Sequence, residues 1–147
     1  MGYTPDISIR DSDHNLIAVV EVIGFQALDE HAVDIHETYT NSVTRAAADF
    51  FLLISSEKGF LWEEGSIRED GKATHVFEMG EVLIQYLGDK NSIESIRKNR
   101  LEFIVFRWLF DVTWQNRSLN TNADKALEVS GFNKATVDAL ISFGLAA

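Results

Sequence analysis

Residues 16–23, LIAVVEVI, limit what this chain can fold into more than any other segment. The run is apolar and β-branched almost throughout, so neither face of the strand it forms is polar. A strand of that kind is covered on both sides and belongs inside a layered sheet. Glu21 breaks the run. An ionised carboxylate with only apolar neighbours needs a cation, strong hydrogen-bond donors or a proton.

The segments around it assign the rest of the architecture. Residues 5–10, PDISIR, alternate with period two, setting Asp6, Ser8 and Arg10 on one face of a strand and Ile7 and Ile9 on the other. The cluster Asp11-Ser12-Asp13-His14-Asn15 is a turn by composition, so the two segments read as an antiparallel hairpin. Asp29 to about Arg45 suits a helix. DFFLLIS at 49–55 is a second buried strand, and after the turn at Glu57-Lys58-Gly59 the segment GFLWEE pairs back on it. A strand, a crossover helix and another strand imply a mixed sheet with a right-handed connection. The fold class is therefore α/β.

Beyond a polar loop at 65–72 come a short apolar segment from His75 to Phe77 and a helix from Glu78 to Leu87. Ser92 to about Gln115 is the longest helical pattern. Leu101, Ile104, Val105, Trp108 and Val112 form one stripe on it, and Phe103, Phe106, Phe110 and Trp114 form a second beside the first. The last thirty residues read as two short helices, one capped by Asn122 or Asp124 and ended by Gly131, the other capped by Asn133 and ended by Gly144. At 147 residues the chain is one domain, with a sheet core over 1–90 and a helical extension over 91–147.

Charge and composition exclude several function classes. The absence of cysteine removes thiolate metal sites, disulfides and cysteine nucleophiles. No apolar run reaches the roughly eighteen residues of a membrane span, and the start lacks the features of a signal peptide, which together imply a cytoplasmic protein. The net charge of -10 repels nucleic acid on average, the densest basic patch being Arg97, Lys98, Arg100 and Arg107, interrupted by Glu94 and Glu102. His31 and His36 are five apart, on different helix faces, and are expected to be exposed rather than paired on zinc. His14 lies in a turn and His75 is isolated. Ser42 and Ser55-Ser56 lack the glycine framing of a nucleophile elbow, and no glycine-rich phosphate loop is present.

Asp6 stands on the strand preceding Glu21 in the hairpin and is expected to reach the same place. Two carboxylates meeting at a sheet surface are a means of holding magnesium. Pro5-Asp6, a hairpin, and then Glu21-Val22-Ile23 resemble the PD...(D/E)XK signature of the PD-(D/E)XK nuclease superfamily. Over most of the chain, the order PDISI, LIAVVEVIG, helix, DFFLLISSEKGFLW, LEFIVFRWLFD and SGF is similar to uncharacterised cyanobacterial members of that superfamily.

The resemblance implies a restriction-endonuclease-like mixed sheet flanked by helices. It also implies magnesium or manganese held by Asp6, Glu21 and the backbone carbonyl of Val22. The motif lysine, which helps to activate water and stabilise the transition state, is Ile23 here. Gln26 and Lys58 are the substitutes, and Asp6, Glu21 and Gln26 the catalytic set. The superfamily core opens with a helix that often bears a further acidic ligand; four residues precede Pro5, so that helix is expected to be absent, replaced from elsewhere or supplied by a partner.

Three functional readings follow. The first is a degenerate nuclease-fold domain, weak or inactive as a catalyst, acting as an interaction or regulatory module. The second is a magnesium-dependent endonuclease in which a relocated group replaces the lysine. The third is a fold-only relative binding a small molecule or protein elsewhere. Against a metal role, Asp6 reads as a turn-proximal surface acid and Glu21 as a buried acid paired with Arg10 or Arg45. The stripe of Phe103, Phe106, Phe110 and Trp114 reads as core packing or as a subunit interface; together with the Leu101 stripe it is wider than one sheet face needs, which points to a twofold homodimer.

Overall fold

The hairpin forms where its alternation and turn composition place it. In the computed structural model, which describes residues 5–24, 29–42, 48–66, 69–88, 93, 96–114 and 121–144, β1 (Ile7–Arg10) pairs antiparallel with β2 (Leu16–Val22), Ile7 facing Val20 and Ile9 facing Ala18. Asp11 closes the turn: its carboxylate accepts from the N–H groups of Asp13 and Asn15 and from the Asn15 amide. The Asn15 donors, main chain first, hold the Asp11 carboxyl below its ordinary range.

The crossover helix α1 (Asp29–Ser42) returns the chain to β3 (Phe50–Ile54), parallel to β2 with Val20 opposite Leu52. β4 (Lys58–Glu63) pairs antiparallel with β3 and already begins at Lys58. Ser55 tightens that turn, its hydroxyl oxygen accepting from the N–H groups of Glu57 and Lys58. A single 3-10 turn (Glu64–Ser66) follows, and then β5 (His75–Glu78) pairs with β4. At the crossing of these strands the Phe77 ring lies over Gly59, where a Cβ would come 2.1 Å from Phe77 Cε2.

Three further helices precede a last strand. They are α2 (Gly80–Leu87), α3 (Lys98–Trp114) and α4 (Asn122–Val129), followed by the single turn α5 (Phe132–Ala135). The final segment departs from the sequence expectation. Instead of a second C-terminal helix ended by Gly144, Leu140–Phe143 form β6, antiparallel to β1 with Ile9 opposite Ile141. Four residues of LISF carry no helical period, and β1 offers them an open edge. The 91–147 region is thus not wholly helical. Asn133 lies inside α5 rather than capping a longer helix. The cap of α4 is Thr121, not Asn122 or Asp124: Thr121 Oγ1 accepts from the Asp124 N–H, and Asp124 accepts in return from the Thr121 N–H. Gly131 does follow α4, in the left-handed conformation at φ 85.

The sheet has six strands in the order β5-β4-β3-β2-β1-β6, antiparallel except at β2–β3, so the architecture is mixed α/β. Both faces of β2 are covered. Val20 and Val22 pack with Ile7, Ile9, Leu52 and Ile54 against α2, α3 and α4, where Leu101, Ile104, Val105, Trp108 and Val112 supply the expected stripe. Val19 and Ile23 pack with Phe51, Leu53, Phe60 and Trp62 beneath Ala32 and Tyr39 of α1.

His36 lies in this second layer and is buried, contrary to expectation. Its ring stacks parallel on the Trp62 indole, centroids 4.4 Å apart, and its Nε2 is 2.7 Å from Glu64 Oε1. A mostly polar helix buries only a narrow stripe, here Ala32, His36 and Tyr39, and an imidazole fills it with a flat face and a satisfied polar tip. His31 is exposed. No helix among the described residues is long and apolar enough to cross a membrane.

Candidate acidic site at the start of the sheet

Asp6 sits immediately before β1, where the strand has not yet begun to pair. N–H groups alternate sides along a strand, and Ile23 N–H donates to Ile54 on β3, so the preceding N–H, that of Val22, faces the β1 side. Asp6 Oδ2 accepts it at 2.7 Å. The carboxylate thereby does what a backbone carbonyl would do one residue further into the ladder. The Asp6 carbonyl also accepts from Gly144 N–H at 2.9 Å, which ties the end of β6 to the same residue.

The second carboxylate oxygen turns toward α3. Asp6 Oδ1 lies 3.5 Å from Lys98 Nζ, and that ammonium lies 3.7 Å from Glu102 Oε1, one helical turn on. Burial raises the Glu102 carboxyl above its ordinary value of 4.5; a hydrogen bond with Asp6 and the negative charge of Asp6 add to the rise, and Lys98 opposes it. Two carboxyl groups and one ammonium therefore share a partly covered corner. The chain leaves β2 at Gly24 directly against the Lys98 stem, a Cβ there falling 3.5 Å from Lys98 Cβ.

The expected site residues are distributed as follows. Asp6 and Val22 are in direct contact through the Val22 N–H. Glu21 is half-buried on β2 between Val19 and Ile23, whose side chains pack on the α1 side, whereas the contacts of Asp6 run to α3. Gln26 and Arg45 lie outside the described residues. Lys58 opens β4 opposite Glu78, two strands from Val22. Arg10 donates to the His14 carbonyl in the hairpin turn. Among the described residues no group of three His, Asp or Glu side chains is arranged to hold a metal ion.

Lys98 and Glu102 are the members of this site that sequence reasoning assigns to a solvated charge patch. The only local sign of them is a lysine and a glutamate four apart in the first turns of the longest helix.

A second surface feature adjoins the first. Phe106 stacks on Phe143 of β6 with centroids 4.4 Å apart, Phe110 stacks against Trp114, and Phe103 is 62% exposed. Phe103, Phe106, Arg107, Phe110, Asp111 and Phe143 line a cavity of about 380 Å³. The second stripe of α3 therefore faces outward and merges with the edge strand. Comparison with family models, with curated proteins and with solved structures gives no match to this chain.

Proposed function

We propose that the chain is a nuclease-like domain whose acidic site is closed from within, and that it acts as an interaction module rather than by cutting. The observation that carries this reading is the position of Lys98. Paired carboxylates demand a cation, and an ammonium 3.5 Å from Asp6 and 3.7 Å from Glu102 supplies one without a metal. The resemblance of Pro5-Asp6 and Glu21-Val22-Ile23 to the PD-(D/E)XK pattern gives Asp6 an origin, although Glu21 stands on the α1 side of β2 and Glu102 takes the second acidic place beside Lys98, and Ile23 in the lysine position removes the group that would serve catalysis.

The partner in this reading is a second copy of the chain. Among the described residues nothing pairs with the outer edge of β6, which exposes Leu140 and Phe143. Antiparallel pairing of β6 with its twofold mate would continue the sheet and bring two aromatic strips of α3 together. Apart from Arg107 and the buried Asp111 the strip is uncharged, so two chains of net charge -10 can approach there.

The same lysine also favours a second reading, a magnesium-dependent endonuclease in which Lys98 is the relocated lysine. Manganese calorimetry combined with plasmid cleavage separates the two. In the first reading the wild type neither binds manganese nor cleaves, and Lys98→Met frees the carboxylates to bind it. In the second the wild type does both, and Lys98→Met keeps the metal and loses cleavage. Sedimentation tests the partner: a monomeric wild type at concentrations where Phe143→Asp is indistinguishable from it removes the dimer.

A further inference from the structure

A cavity of about 420 Å³ opens beside the aromatic strip on the α2 side of α3, lined by Tyr86, Asn99, Arg100, Phe103, Ile104 and Arg107, of which Phe103 and Arg107 also border the strip. Its wall is set by a buried acid. Asp111, 2% exposed, accepts the Tyr86 hydroxyl proton at 2.7 Å and lies 3.9 Å from Arg107 Nε. The buried carboxylate fixes the phenol ring by a hydrogen bond and attracts the exposed Arg107 guanidinium at ion-pair distance through Nε, so that its terminal nitrogens are not paired with Asp111.

Arg100 stands two helical turns before Arg107, about 10 Å along the axis, and on the same side. Among the described residues no carboxylate lies within ion-pair distance of Arg100. Asn99 Oδ1 accepts from the Arg100 N–H, which leaves the Asn99 amide N–H groups as donors at the rim. Phe103 lies between the two arginines along the helix and presents its ring to solvent. In a chain of net charge -10, two guanidiniums gathered over one apolar-walled cleft make a local site for an anion.

We propose that this cleft binds a phosphate monoester carrying a flat ring. The phosphate oxygens accept from Arg100, Arg107 and the Asn99 amide, since guanidinium forks match phosphate geometry. The ring lies on Phe103 and Ile104. A phosphate suits the site better than a carboxylate because two guanidinium forks two turns apart and an amide call for more acceptor oxygens than one carboxylate presents. The site is independent of the Lys98 reading, as it shares no residue with the acidic corner.

Phenyl phosphate is the probe, added to the full chain and followed by amide NMR. Saturable shifts centred on Arg100, Phe103 and Arg107 are expected, with weaker binding of inorganic phosphate, which lacks the ring. Arg100→Gln and Arg107→Gln should each weaken phenyl phosphate roughly tenfold or more, the loss of a charge-assisted hydrogen bond. Arg100 is exposed, so its variant folds as the wild type does. Lys134→Gln, which removes an exposed cation on α5 outside the cavity, should leave the affinity unchanged. Absence of a saturable shift, affinity retained in the Arg100→Gln/Arg107→Gln double variant, or shifts centred on Phe143 would each overturn the assignment.

Discussion

Replacing Asp6 separates its role in the ladder from its charge. In Asp6→Ala the Val22 N–H loses a carboxylate acceptor at 2.7 Å, in a side chain only 17% exposed. A hydrogen bond to a charged group at such a site contributes about 1.5–3 kcal/mol. The Lys98 pair adds less than about 1 kcal/mol, because the ammonium is half exposed and screened. Removing the negative charge beside Glu102 works in the opposite direction, since Glu102 then ionises more readily. The net loss is about 2–3 kcal/mol, or about 5–10 °C in Tm for a chain of this size. Asp6→Asn keeps an oxygen on the Val22 N–H but makes that hydrogen bond a neutral one and gives up the Lys98 pair, so its cost is about 1 kcal/mol, roughly half that of alanine. Urea unfolding should show the midpoint falling at constant m-value for both, by about half as much for asparagine as for alanine. Exchange of the Val22 amide should be fast in the first variant and protected in the second. An asparagine variant as unstable as the alanine one would refute the ladder role and leave the charge of Asp6 as its main contribution.

Two further outcomes follow from the partly covered Glu102 and the buried Asp124. Because the Glu102 carboxyl is raised in the folded state, it binds its proton more tightly than in the unfolded chain, so its contribution to stability is present below its ordinary 4.5 and is lost as pH rises through the raised value. Glu102→Gln, which cannot titrate, should gain relative to the wild type as urea unfolding is repeated from about pH 4 to about pH 7; parallel curves would remove the shift. Asp124→Ala takes the acceptor from the buried Trp108 indole N–H, 3.1 Å away, and breaks the Thr121 capping box, a loss of about 2–4 kcal/mol by the same assay. A loss below about 1 kcal/mol would mean that neither bond contributes appreciably.

The parts of the fold legible in the sequence are those set by local period and turn chemistry. The alternation of PDISIR, the continuous run of LIAVVEVI and the three-four stripe from Leu101 to Val112 each state which faces are covered, and the observed layers follow them. His36 reads as solvent-facing because histidine is polar by habit, whereas its place depends on Trp62 and Glu64, more than twenty residues on. Thr121 with Asp124 three residues later is a readable capping box, obscured by the neighbouring Asn122. LISF is too short to declare a period, and only the free edge of β1 makes it a strand. The acidic corner is harder still. Asp6 meets Lys98 and Glu102 because a helix packs across the sheet, a contact that no local spacing encodes, while Glu21, conspicuous in its apolar run, stands in a strand whose alternate residues pack beneath α1.

The pairing of β6 with β1 also bears on how the chain is made. Ser8 and Ser142 meet across 134 positions of sequence, so the outer strand docks only after the five other strands of the sheet and the described helices between them have been synthesised. Until Phe143 has left the ribosome, β1 keeps an unpaired edge, the state in which nascent sheets recruit neighbours and aggregate. Closing so long a loop is also slow, which makes strand docking the natural late step of folding. A ribosome-bound intermediate lacking β6 is where a chaperone would be needed most.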